Sequence, residues 1–269
     1  MVDGLLYKIG DGVEMKSNWG TVELYSDGGT LCPDWLEKIG IERSDVISIR
    51  VAEGKVFLPE DARGFDRQER VYMMFGGLTT AKSIDLSSFD ASNVTNMGDM
   101  FRDCNRLKYL DLSNFNTSST TDMDGMFWGC ESLKRLDLSS FDTSNVTDMN
   151  GMFWDCYSLT NMDLSEFDTL NVIDMSWMFH NCQSLTRLNL SGFDTSSVTN
   201  MNGMFYDCEH LTDINLSSFD TSRILNMRSL FAGCHGLKTV IMNPTVNQDA
   251  KTDGMFDGCR AEIIQEYHF

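Results

Sequence analysis

The sequence is poor in the features that mark most functional classes. It has no apolar run long enough for a membrane span or for the core of a secretory leader, and Met1 to Gly20 is mixed and polar. Neither a lipobox cysteine nor a sortase motif can be picked out, so no signal peptide or anchor is read in these residues. Positive charge is scarce: 21 Lys and Arg face 40 Asp and Glu, a formal charge of -19 that repels phosphate backbones and argues against nucleic acid as a partner. Enzyme signatures are missing too. There is no Gly-rich phosphate loop, no GxSxG and no HExxH, and the four histidines, His180, His210, His235 and His268, have no acidic or cysteine partner at a productive spacing. The reading is therefore non-enzymatic and without membrane insertion.

What is present is a period. Cys104, Cys130, Cys156, Cys182, Cys208 and Cys234 follow one another at 26 residues, and Cys259 comes after 25. Phe89, Phe115, Phe141, Phe167, Phe193 and Phe219 keep the same register, as do the Met-Phe pairs from Met100-Phe101 to Met204-Phe205. A full unit reads LxxLDLSxFDTSNVTDMxGMFxxCxS. Such a period predicts a solenoid, in which each unit buries its apolar face only against its neighbours.

Within a unit, Leu136-Asp137-Leu138 alternates apolar and polar and predicts a short strand with both leucines inward. Equivalent stretches begin at Ala81, Leu107, Leu159, Leu185, Leu211 and Leu237, with a degenerate one near Ala261 to Ile264, about eight parallel rungs. The Asp-Thr-Ser-Asn-Val-Thr segment should turn the chain by bonding its own backbone, leading into a helical turn around Met149 to Phe153 on the convex side. Before the array, Thr21 to Tyr25 and Val46 to Val51 alternate as strands. The expected organisation is a non-repeat, β-rich N-terminal cap over 1-72, a leucine-rich-type solenoid over 73-259, and a C-terminal cap or tail over 260-269. Met242-Asn243-Pro244 marks the array stopping, since proline cannot donate to a ladder.

The repeat quoted above resembles the BspA-type bacterial surface leucine-rich repeat, a 26-residue repeat, over roughly Met74 to Cys259. The resemblance implies a leucine-rich-repeat-like parallel β ladder with short helical or turn segments outside it. It also implies an extracellular or cell-surface, adhesin-like protein whose partner is a protein, such as one of a host surface or matrix.

Several columns are candidates for chemistry. The cysteines read first as core filling, ahead of disulfides or metal, because stacked thiols lack the clustering that ligand sets need. Cys32, outside the array, is left open between a buried and an exposed thiol. Asp85, Asp111, Asp137 and Asp163, continued by Asn189 and Asn215, stack between the strand leucines. Their carboxylates should repel and titrate high, or hold a cation between them; structural hydrogen bonding is preferred to a calcium ladder. Asp142, Asp168, Asp194 and Asp220 read as turn caps. The sequons Asn93-Val94-Thr95 and Asn145-Val146-Thr147 likewise read as turn formers.

Two columns drift inside the constant frame. One runs Arg102, Trp128, Trp154, His180, Tyr206, Ala232, with Trp177 where neighbouring units carry Gly151 and Gly203, and with Asp155, Asn181 and Asp207 alongside. It reads either as an aromatic stack that only stabilises the fold or as a ridge that binds protein or glycan. The other, on the presumed concave face, runs Tyr109, Arg135, Asn161, Arg187, Asp213. The candidate ligand-binding residues are Trp128, Trp154, Trp177, His180, Tyr206, Tyr109, Arg135 and Arg187. No cofactor is expected, and calcium is not favoured. A glycan-binding module and a structural or calcium-stiffened stalk are the alternatives to a protein-binding surface.

Overall fold

The computed structural model describes residues 6–66, 71–72, 74–243 and 247–265. Pro244 and His268 lie outside the described residues. The chain winds into a parallel β-solenoid of about nine turns with almost no helix. No helix among the described residues is long and apolar enough to cross a membrane.

The coil begins before the sequence period does. Strands β1 (Leu6–Asn18) and β2 (Thr21–Leu31) form an antiparallel hairpin, and β2 then pairs in parallel with β3 (Ser48–Glu53) and β4 (Val56–Phe57). After the short hairpin of β5 (Phe65–Asp66) and β6 (Val71–Tyr72), β7 (Ser83–Ile84) stacks on β3 and β8 (Phe89–Asp90) on β4. The first turns are thus already solenoidal, although their residues do not repeat. Farther along, β9 (Asn161–Asp163) pairs with β10 (Arg187–Asn189), and β11 (Asp213–Leu216) with β12 (Thr239–Met242) and β13 (Glu262–Gln265). All these pairs are parallel, and β13 is the degenerate last rung.

Each coil from Asp85 to Asn226 is closed by three side-chain-capped turns, and this is where much of the acidic content goes. In the unit around Phe141, Asp137 Oδ1 accepts from Ser139 N–H at 3.0 Å, Asp142 Oδ1 from Ser144 N–H at 3.1 Å, and Asp148 Oδ1 from Asn150 N–H at 2.8 Å. Asp and Asn suit these corners because a short side-chain oxygen reaches the amide two residues on. The sequon residues serve the same framework: Asn145 Nδ2 donates to Ser118 O at 2.8 Å and Thr147 Oγ1 to Thr121 O at 3.1 Å.

The Met-Phe face carries the strongest coil-to-coil ladder. Met149, Gly151, Phe153 and Asp155 donate their N–H groups to the carbonyls of Asp174, Ser176, Met178 and His180 at 2.9–3.0 Å. The intervening amides of Met152, Trp154 and Cys156 bond three residues back within their own coil. Bonds four residues back, which define an α-helix, are absent here, so the helical turn expected around Met149 to Phe153 does not form; a run of tight turns stands in its place. Two positions per coil are left-handed to allow it. One is Gly125, Gly151, Trp177 and Gly203; the other is Gly129, Asp155, Asn181 and Asp207. Glycine, Asn and Asp tolerate that region best.

Inside, the columns stack. Phe75, Phe101, Phe127, Phe153, Phe179, Phe205, Phe231 and Phe256 form a continuous pile with ring centroids 5.3–5.8 Å apart and planes within 17°. Each such contact adds about 0.5–1.5 kcal/mol beyond simple burial. Buried Thr117, Thr143, Thr169 and Thr195 each donate Oγ1 to a main-chain carbonyl of the next coil at 2.8–2.9 Å.

All eight cysteines are free thiols, and the six from Cys104 to Cys234 are buried. Each donates to the phenylalanine carbonyl of the preceding coil, Cys156 Sγ to Phe127 O at 3.3 Å for example. Burial pushes these thiols up, Cys104 and Cys234 to about 12 from an ordinary 9.0. An acid raised in the folded state stabilises fully below pH 9, then loses that contribution as the unfolded chain ionises and the folded one does not. Unfolding free energy should therefore fall above pH 9 by about 1.4 kcal/mol per pH unit for each thiol. Denaturant titrations under reducing conditions at several alkaline pH values measure this, and the Cys130→Ala, Cys182→Ala double variant should flatten the slope by roughly 3 kcal/mol per pH unit. An unchanged slope would contradict the assignment.

Candidate functional site

The two drifting columns occupy different faces. Tyr109, Arg135, Asn161 and Arg187 come together in one groove of about 950 Å3 on the strand face, with Asp137, Asp163 and Glu166 on its walls and Leu136 and Leu188 in its lining. None of the aromatic-column residues reaches it. Tyr109 is 67% exposed, and Arg135 and Arg187 are exposed. Glu166 was not among the residues picked from the sequence. It belongs to a third drifting column, Ser88, Asn114, Ser140, Glu166, Gly192, Ser218, whose variation was the available signal.

The groove lies where the strand ladder is open. No main-chain hydrogen bond joins Tyr109–Leu112 or Arg135–Leu138 to the coil on either side, whereas β9 and β10 are paired. These open rungs sit inside the unbroken run of Asp85, Asp111, Asp137 and Asp163, where like charges face each other across adjacent strands. At the end of the run Asn189 Nδ2 donates to Asp163 Oδ1 at 2.9 Å, and pairing resumes. The ladder lapses again between β10 and β11 without stacked charge, so a lapse does not require facing carboxylates.

Asp111, Asp137 and Asp163 are lowered, contrary to the rise expected from their repulsion. Asp111 and Asp137 are held low first by the main-chain amides of Ser113 and Ser139, and Asp163 first by the Ser165 hydroxyl. Local donors outweigh the neighbouring carboxylate because they lie at hydrogen-bond distance, while the stacked charges face each other through solvent. Replacing Asn189 by Asp should remove the bond to Asp163 and lengthen the charged run. We expect a loss of about 1 kcal/mol at neutral pH and low salt, shrinking at high salt, by denaturant unfolding. A salt-independent loss would point to packing instead.

The aromatic column is a closed stack. Arg102 lies over the Trp128 ring at 3.8 Å, Trp128 stacks on Trp154 at 4.2 Å with planes 6° apart, and Trp154 meets Trp177 at 5.6 Å. His180 stands edge-on to Trp154 at 4.5 Å and to Trp177 at 5.2 Å, and lies 4.9 Å from Tyr206. Burial holds His180 below its ordinary value against the opposing pull of Asp155 and Asp207. Both faces of Trp128 are thus covered by protein, and Trp154, Trp177, His180 and Tyr206 are half-buried. A sugar stacks on ring faces, and Trp128 has none open to it.

Trp177 explains its own departure from the pattern. It takes the left-handed conformation, φ 59°, that Gly151 and Gly203 take in the coils on either side, and its ring lies over Gly203. A Cβ on Gly203 would fall 2.2 Å from that ring, whereas one on Gly151 would meet nothing nearer than 3.4 Å. Both alanine variants strain the backbone, but Gly203→Ala should cost at least 1 kcal/mol more, about the penalty of overpacking. Parallel melting curves check this; equal losses would remove Trp177 as the cause.

The family model described as "Mycoplasma protein of unknown function, DUF285" matches residues 69–187 and 157–266. Among solved structures, a leucine-rich repeat protein from Eubacterium ventriosum is similar over 97% of this chain and 84% of its own, at 14% identity and a TM-score of 0.40. A leucine rich cell surface protein from Faecalibacterium prausnitzii is similar over 99% of this chain and 96% of its own, at 12% identity and 0.22. A TLR13–ssRNA13 complex is similar over 90% of this chain and 34% of its own, at 16% identity and 0.37. No curated protein matches the chain.

Proposed function

Since the chain belongs to the family described as Mycoplasma protein of unknown function, DUF285, whose description assigns no activity, we propose a function from its surface: a non-enzymatic interaction protein of the bacterial exterior that holds a protein partner in the strand-face groove. One observation carries this reading. Side chains that change from coil to coil, Tyr109, Arg135, Asn161, Arg187 and Glu166, converge on a single groove while the residues that build the coil stay constant. Tyrosine and arginine are the side chains that most often anchor protein interfaces, because each combines a large contact area with directed hydrogen bonds. The groove also mixes two guanidiniums with the carboxylates of Asp137, Asp163 and Glu166, which suits a partner bearing both signs of charge. The aromatic column, in which Arg102 and Trp154 cover the faces of Trp128, serves coil cohesion in this reading.

Binding to a panel of purified host matrix and surface proteins, measured with immobilised wild type and two variants, tests the proposal. The Tyr109→Ala, Arg135→Ala, Arg187→Ala variant should bind its partner at least about tenfold more weakly. Trp128→Ala, Trp154→Ala should bind as wild type wherever it remains folded. Loss confined to the tryptophan variant would move the site to the aromatic column and revive the glycan alternative.

A further inference from the structure

The strand-face groove holds two arginines that the fold does not use. Arg43, Arg50, Arg63, Arg102 and Arg228 each pair with a carboxylate of the chain. Arg135 and Arg187 are exposed and make no ion pair or hydrogen bond among the described residues, although Asp137 and Asp163 line the same groove. Those carboxylates have other donors. Asp137 Oδ1 accepts the Ser139 amide at 3.0 Å, and Asp163 Oδ1 accepts the Ser165 amide at 3.1 Å and Asn189 Nδ2 at 2.9 Å. Each guanidinium is left with a planar fork of N–H donors, the geometry that takes both oxygens of a carboxylate at once.

The repeat sets the distance between the forks. Arg135, Asn161 and Arg187 hold one position in three successive coils, so the two arginines stand two coil rises apart, about 10 Å at parallel-strand spacing. A β-strand returns a side chain to the same side every second residue, after about 6.6 Å and then about 13 Å. A polyproline II segment does so every third residue, after about 9.3 Å. Only the second matches. Such segments also dock on exposed aromatic rings, and Tyr109, 67% exposed, holds the same position one coil before Arg135.

A purely acidic ligand would be opposed by Asp137, Asp163 and Glu166 and by the net charge of -19. A cation between the two acids answers that opposition, because the residues between i and i+3 of a three-fold helix project to its other sides. Resting on the reading of the groove as a protein site, we infer that the bound part of the partner is a proline-rich segment with acidic residues at i and i+3. One acid sits on Arg135 and one on Arg187, and a lysine between them faces Asp137 and Asp163.

Isothermal titration of the full chain with the end-capped peptide PPEPKEPP tests this. Saturable binding is expected. Arg135→Ala and Arg187→Ala should each weaken it at least about tenfold, as should glutamine in place of either glutamate, since each change removes one charge-assisted fork. Both arginines are exposed, so both variants should melt as wild type. The peptide PPEPEKPP has the same composition with the acids two residues apart, and it should bind at least about tenfold more weakly. No binding of PPEPKEPP overturns the inference, as does equal binding by the reordered peptide or by the arginine variants. If matrix or surface proteins then still require Tyr109, Arg135 and Arg187, the groove remains a protein site without this ligand; if they do not, both readings fall.

Discussion

Everything in this protein depends on coil-to-coil registry along the Met-Phe face. There the amides of alternate residues cross to the next coil while their neighbours close turns within their own, and eight phenylalanine rings pile up beneath them. The two ladders reinforce each other. Main-chain bonds hold the spacing that lets the rings stack, and the rings exclude water from bonds that would otherwise exchange with it. The buried thiols fit the same arrangement, each giving its weak donor to a phenylalanine carbonyl of the coil before.

That firm face leaves the strand face free to vary. Because the Met-Phe ladder already sets the stack, strand pairing can lapse at Tyr109–Leu112 and Arg135–Leu138 without the coils parting. The groove follows from that division of labour: one face specifies the fold, the other tolerates stacked carboxylates, arginines and an exposed tyrosine. The net charge is shaped by the same economy, since Asp and Asn at three corners of each coil cap turns.

Residue by residue, the fold was more legible than its surface. The cysteine column announced a core through its spacing, whereas the strand expected from the alternation of Leu136 and Leu138 does not form: Leu138 is buried, but Leu136 is half-buried and the segment makes no main-chain bond to either neighbouring coil. The Asp142 column announced its caps because an Asx-turn involves only neighbouring residues. The helical turn expected at Met149 to Phe153 was misread because Gly151 and Asp155 adopt left-handed backbone only when the next coil is there to receive their amides. The aromatic column could be located but not interpreted, since whether a ring face is free depends on the coils before and after it, as Arg102 and Trp154 on either face of Trp128 demonstrate.

By itself the sequence determined the period, the inward columns, the turn caps and the positions that drift, all of which rest on local chemistry repeated at 26 residues. The tertiary structure alone decided that the solenoid extends into the unrepeated N-terminal turns, that Tyr109, Arg135 and Arg187 share a groove, and that Trp128, Trp154 and Trp177 pack against one another. The reason is physical: a repeat fixes what each coil offers, while the spacing and pairing between coils follow from packing across 26 residues of chain, which no window of sequence contains.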